Sequence, residues 1–141
     1  MEFKEFIEKP RTLTAKINLK EAQLEALKTQ SLYAVSVPSQ TPGGNQHYDS
    51  VIEKHVAKQD ELERLIPSLK QEREAVVAEL TLLLSELEDP RQIRILTMRY
   101  VQLLEFPEII KRIKYSSQHV FRMHKAGLAA TKKIYLKKES K

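Results

Sequence analysis

Gln118 and Arg122 stand one helical turn apart in a segment whose apolar residues Val120 and Met123 mark the opposite face, with Leu128 also expected to face inward. Four-residue spacing puts both polar side chains on one side of a helix. Glutamine offers a donor beside an acceptor and arginine a planar fork of donors. These groups pair in bidentate fashion with adenine and guanine edges in a major groove. Ser117 and Phe121 belong to the same end of the segment; Phe121 either meets a thymine methyl or packs into the core. Lys111, Arg112 and Lys114 precede the set, and His119 and Lys125 lie within and after it. Such groups hold phosphates and set register rather than read sequence. The tail KKIYLKKESK either adds phosphate contacts or is the solvated end of the same helix.

Charge supports a polyanionic partner. From Asp89 to the end there are 13 Lys+Arg against 4 Asp+Glu, a net of +9, whereas Met1 to Glu88 has 11 against 15, a net of −4. A helix-turn-helix pattern within the basic part of a bipolar chain implies double-stranded DNA.

Three short helices must position these residues. Asp89-Pro90-Arg91-Gln92 is a helix start: Asp89 caps, Pro90 fits the first position and Gln92 completes the box. Ile93, Leu96, Tyr100 and Leu103 form the inner face of that helix. Phe106, Ile109, Ile110 and Ile113 form the next, Lys114-Tyr115-Ser116 is the turn, and Ser116 caps the last helix.

Upstream, Phe3, Phe6, Leu13, Ile17, Leu24 and Leu27 make one stripe, with Pro10 expected to separate a short first turn from the firm helix. Residues 33–47, YAVSVPSQTPGGNQH, hold two prolines and a Gly-Gly pair and are expected to be a flexible loop. Gly43-Gly44 lacks the Lys-Ser or Lys-Thr of a phosphate-binding loop. Ser50 and Glu53 have capping-box spacing, so a long helix is expected from there to Leu87 or Glu88, with a kink or a short break at Pro67. Alternating steps of four and three from Ile52 reach His55, Gln59, Leu62, Ile66, Leu69, Arg73, Val76, Leu80, Leu83 and Leu87, a coiled-coil seam with polar interruptions that could fix register. At 1.5 Å per residue, residues 50–87 would span roughly 57 Å, so the helix needs a partner along its length. A first helix shorter than this leaves Val76, Leu80, Leu83 and Leu87 uncovered unless the Phe3–Phe6 region, the basic module or a second chain packs on them. A homodimer through the arm is therefore expected.

The expected fold is all-α: an N-terminal antiparallel helical hairpin or coiled-coil arm over 1–88, with its loop at about 33–47, followed by a three-helix helix-turn-helix domain over 89–141. A fragment starting at Glu88 is expected to close its own core.

Arg99-Tyr100, Phe106, Glu108-Ile109, Ile113, Tyr115, Ser116, Val120 and Leu128 occupy the places of the R-Y, aromatic, E-I, leucine, hydrophobic, S/T, valine and leucine positions in the fourth region of bacterial sigma factors, which this stretch resembles. Ile110 stands at that family's small Ala, Lys114 at its turn Gly, and Gly127 at the Ala before the leucine. With the helical arm and short length, the chain looks more like the small sigma-like regulators of Gram-positive phages and prophages. The resemblance implies a sequence-specific transcription regulator acting with host RNA polymerase. It gives Ser117, Gln118, Phe121 and Arg122 as the base-facing positions. It leaves no room for the region that melts promoters. A helical interaction or assembly protein, or a small-terminase-like packaging subunit, is the alternative; the C-terminal place of the basic module favours the regulator.

Other chemistry is not expected. Without cysteine there is no disulfide, thiolate zinc site or cysteine nucleophile. His119 and His124 are five apart and do not share a metal-binding face, and His47 and His55 have no carboxylate cluster. No catalytic residue, metal or cofactor is expected. No apolar run approaches a membrane span, the first residues lack a signal sequence's apolar core, and a cytoplasmic location is expected.

Overall fold

The computed structural model describes residues 1–36 and 45–140, and the side chains of 1–30 and 50–140. The described residues are all-helical, without a strand. The helices are α1 (Phe3–Ser36), α2 (Asn45–Leu84), α3 (Pro90–Leu96), α4 (Phe106–Ile113) and α5 (Ser117–Glu139), with a π-helical turn, Thr97–Val101, extending α3.

Both long helices exceed their expected limits. α1 runs through Pro10, so Phe3 and Phe6 belong to the main helix. A proline leaves one amide bond unmade, and Pro10 is itself fully buried, which fits a ring packed on the apolar face. α2 begins upstream of the Ser50–Glu53 pair and also passes through a proline, Pro67. The expected loop of 33–47 is entered by helix from both sides, and its centre, 37–44, lies outside the described residues. At its far end α2 stops at Leu84, three residues early. The chain then turns through Ser85 and Glu86, with Glu86 N–H donating to Leu83 O at 3.2 Å and Leu87 N–H to Leu84 O at 3.1 Å.

The chain divides into two compact units, Met1–Thr12 with Arg73–Lys141, and Leu13–Glu72. The division does not fall at the expected 88/89 boundary. In Leu13–Glu72, Leu13, Ile17, Leu62, Ile66 and Leu69 are buried, and Glu21 pairs with Lys70 at 2.9 Å. In the other unit, Val76, Leu80, Leu83 and Leu87 are buried along with Phe3, Phe6 and Ile7. The stripe expected to need a second chain is covered within this one, so its burial does not require a dimer.

The start of α3 carries the expected Asp89 cap and Pro90 opening. Asp89 takes an extended conformation and its carboxylate accepts from Arg91 N–H at 2.9 Å, with Pro90 opening the helix. The Arg91 side chain, then its backbone N–H, hold the Asp89 carboxyl below the ordinary value. The inner face of this element differs from the expected one. The buried residues are Ile95, Leu96, Met98 and Tyr100, whereas Ile93 and Leu103 are only partly covered. Thr97 O accepts from Gln102 N–H at 2.9 Å, a five-residue step that inserts one residue into the helix and rotates the downstream residues by about 100°. The chain then leaves the helix, and Leu103 takes a positive φ of 59°.

Ile95, Met98, Ile109, Ile113, Val120 and Met123 form one core cluster, with Leu104, Phe106 and Ile110 against it. α5 crosses α3 closely at Gly127. A β-carbon there would stand 2.9 Å from Leu96 Cδ1 and 3.3 Å from Gln92 Cβ, and Leu96 is itself fully buried. This close approach accounts for glycine at the position. Thr131, also fully buried, returns its hydroxyl proton to Gly127 O at 2.7 Å.

Candidate nucleic-acid interface

The turn between α4 and α5 aims the candidate residues. Lys114 closes α4 in the left-handed region (φ 62°, ψ 27°) and its N–H donates to Ile110 O at 3.1 Å. A side chain at positive φ costs energy that glycine would not, so the surrounding packing holds the turn. Ser116 is extended, and its hydroxyl accepts from His119 N–H at 3.2 Å. The chain thus reverses in three residues into a capped helix.

Val120, Met123 and Gly127 face inward from α5, while Ser117, Gln118, Phe121, Arg122 and Lys125 are exposed. The four base-facing candidates therefore share the outer side of the first two turns. Arg122 and Lys125 form no ion pair among the described residues. Phe121 is packed on one side and exposed on the other. Its ring packs against Phe106 (centroids 5.0 Å apart), yet it remains 48% exposed.

The phosphate candidates divide. Lys111 and Lys114 are exposed beside the turn. Arg112 is exposed too but pairs with Glu108 at 2.8 Å, a contact that lowers the Glu108 carboxyl below its ordinary value. His119 is half-buried, its ring meeting Tyr115 edge-on at 4.9 Å. It is less available than sequence position suggests, and Tyr115, 37% exposed, takes part of its place at the surface.

Long-range contacts beneath this face carry no local sequence signal. Arg99 lies 4.6 Å over the Phe106 ring and donates to Leu104 O at 3.2 Å and to Glu105 at 3.1 Å. Arg11 reaches the other Glu105 oxygen at 3.0 Å. Arg99 first, then Arg11, keep the Glu105 carboxyl below the ordinary value. Glu105 is the residue before α4, so two arginines from distant segments hold that helix's entry. Phe106 in turn touches Phe121 and, edge-on at 4.9 Å, His124.

The Tyr100 hydroxyl lies 2.8 Å from His124 Nε2. A neutral imidazole with its proton on Nδ1 accepts that hydroxyl proton; a charged one cannot. Burial, then the Arg99 cation, push His124 below its ordinary value of 6.5. The folded state therefore binds this proton less readily than the unfolded chain. The stabilisation is fully present above pH 6.5 and is lost as pH falls toward and through the lowered folded value. His124→Gln is expected to remove this contribution. The fall in melting temperature between about pH 7.5 and about pH 5.5 should be smaller in the variant than in the parent. Parallel curves would exclude His124 as the source.

Among the described residues no three His, Cys, Asp or Glu side chains gather as a metal site would require, and no helix is long and apolar enough to cross a membrane. No family model, curated protein or solved structure matches this chain.

Proposed function

We propose that this chain is a sequence-specific DNA-binding transcription regulator of phage or prophage type: a helix-turn-helix in which α4 braces and α5 enters the major groove, carried by a helical hairpin arm. The observation that supports it most is the exposed set Ser117, Gln118, Phe121 and Arg122 at the start of a capped helix, behind a three-residue turn. That set lies in a stretch, Ile109 to Lys138, with nine Lys and Arg and no Asp or Glu. A protein-docking surface of this size would ordinarily mix signs, whereas phosphate needs one sign only. Arg122 and Gln118 read bases in this proposal. Lys111, Lys114 and Lys125 hold phosphates, Arg112 does so by releasing or sharing Glu108, and His119 contributes least. Action with host RNA polymerase rests on the sigma resemblance of residues 93–130. The reading needs no homodimer.

The test is selection of bound duplex fragments from random DNA, followed by titration of the recovered site against a scrambled one. Preference for the recovered site by about 100-fold or more is expected, a ratio that approaches or enters the range of specific binding. Equal affinity for both would leave at most a non-specific DNA binder.

A further inference from the structure

α5 is longer than a groove-reading helix needs. Its 23 residues reach about 34 Å at 1.5 Å per residue, whereas Ser117 to Lys125 accounts for only about a third of that. The remaining turns carry four lysines, and the geometry sorts them. At 100° per residue, Lys132, Lys133 and Lys137 fall on the same side of the helix as Gln118, Arg122 and Lys125. All six are exposed. Lys138 points elsewhere and is held by Glu86 at 2.7 Å. Lys132, Lys133 and Lys137 form no ion pair among the described residues. Between the two cationic groups the same face bears only the small exposed residues Ala126 and Ala129. Opposite, Thr131 and Tyr135 are buried. The far half of the helix is therefore clamped against the fold with its orientation fixed, and its lysines are not on a fraying end.

We propose that Lys132, Lys133 and Lys137 form a second phosphate-contacting register. It grips the DNA backbone about 15–22 Å along the helix axis from Arg122, at the 1.5 Å rise, while the first turns occupy the groove. The major groove is about 12 Å wide, so positions this far back lie beyond its floor and against a flanking strand. The contact is sequence-independent and sets how deeply and at what angle α5 enters. This inference rests on the DNA reading of the first turns and adds a distinct surface to it.

Each lysine that neutralises a phosphate releases counterion, and the logarithm of affinity falls with the logarithm of salt by about 0.9 per contact. The test compares the intact chain, K132Q/K133Q/K137Q, K138Q and R122A on a mixed-sequence duplex of about 30 base pairs over a salt series. The triple variant is expected to have a slope shallower by about 2–3, and K138Q a slope equal to the parent's. R122A should lose about one contact's worth and no more. The three lysines of the triple variant form no ion pair among the described residues, so its circular dichroism should be unchanged. A triple variant with the parent's slope overturns the second register and leaves the groove-reading proposal standing. A parent chain that shows no salt-dependent binding to duplex DNA removes both. Equal retention of the parent, and equal loss by the triple variant, on polyglutamate and on DNA at matched charge would overturn the register in favour of a general polyanion surface.

Discussion

Phe6→Ala is expected to destabilise the basic, C-terminal part of the chain by about 3–5 kcal/mol, although the two are far apart in sequence. Phe6 is 4% exposed and its ring stacks on Tyr135 at 5.1 Å, with Phe3 on the same tyrosine at 5.6 Å. The Tyr135 hydroxyl donates to the Met1 carbonyl. Truncating Phe6 removes a large apolar surface and leaves a cavity that the buried neighbours Leu83 and Tyr135 close only in part. Urea unfolding followed by circular dichroism gives the magnitude, and amide exchange should quicken at α5 near Thr131 and Tyr135. An unchanged midpoint would mean that the first helix merely rests on α5. The same contacts bear on the expectation that a fragment from Glu88 closes its own core, since the cluster of Ile95, Met98, Ile109, Ile113, Val120 and Met123 lies within it but the surroundings of Tyr135 do not. A fragment beginning at Glu88 leaves behind Phe3, Phe6, Leu80, Leu83 and Leu84, all buried, and would expose Tyr135.

That contrast shows where the sequence is informative. Local signals are legible because their physics is local. Asp89-Pro90 caps α3, Ser116 caps α5, and the four-three seam of α2 runs through positions that are each buried or partly buried. The outer face of α5 follows from period alone. Three kinds of feature are not legible. Pro10 reads as a break, because a proline's cost is local whereas the packing that offsets it comes from other parts of the fold. The π-helical turn has no residue code, so the one-residue shift after Thr97, beyond which Leu103 is only partly covered, cannot be read from spacing. Contacts such as Tyr100–His124, Arg11–Glu105 and Phe6–Tyr135 join segments whose meeting depends on the whole fold. The compact units escape sequence reading for this last reason: Pro90 marks the start of a helix, whereas the units divide elsewhere in the chain.

Arg122→Ala carries the largest expected effect on binding. The side chain is exposed on the second turn of α5, forms no ion pair among the described residues, and stands outside the core formed by Val120 and Met123. Its loss should therefore leave unfolding unchanged within about 0.5 kcal/mol, as for a surface substitution that breaks no contact. In the proposed complex the same arginine faces the groove with Gln118 one turn before it, and Phe121, steadied by Phe106, fixes the neighbouring surface. A bidentate arginine–guanine pair discriminates by about 1–3 kcal/mol, so affinity for the selected site should fall roughly 5- to 150-fold. Affinity for scrambled DNA should fall far less, because there only one phosphate-attracting charge is lost. The ratio of the two losses separates a base reader from one more cation in a basic stretch. If R122A lowers both affinities by the same factor, Arg122 is a phosphate contact and the reading face must be sought at Gln118 and Phe121. If neither changes, α5 does not enter the groove by this end.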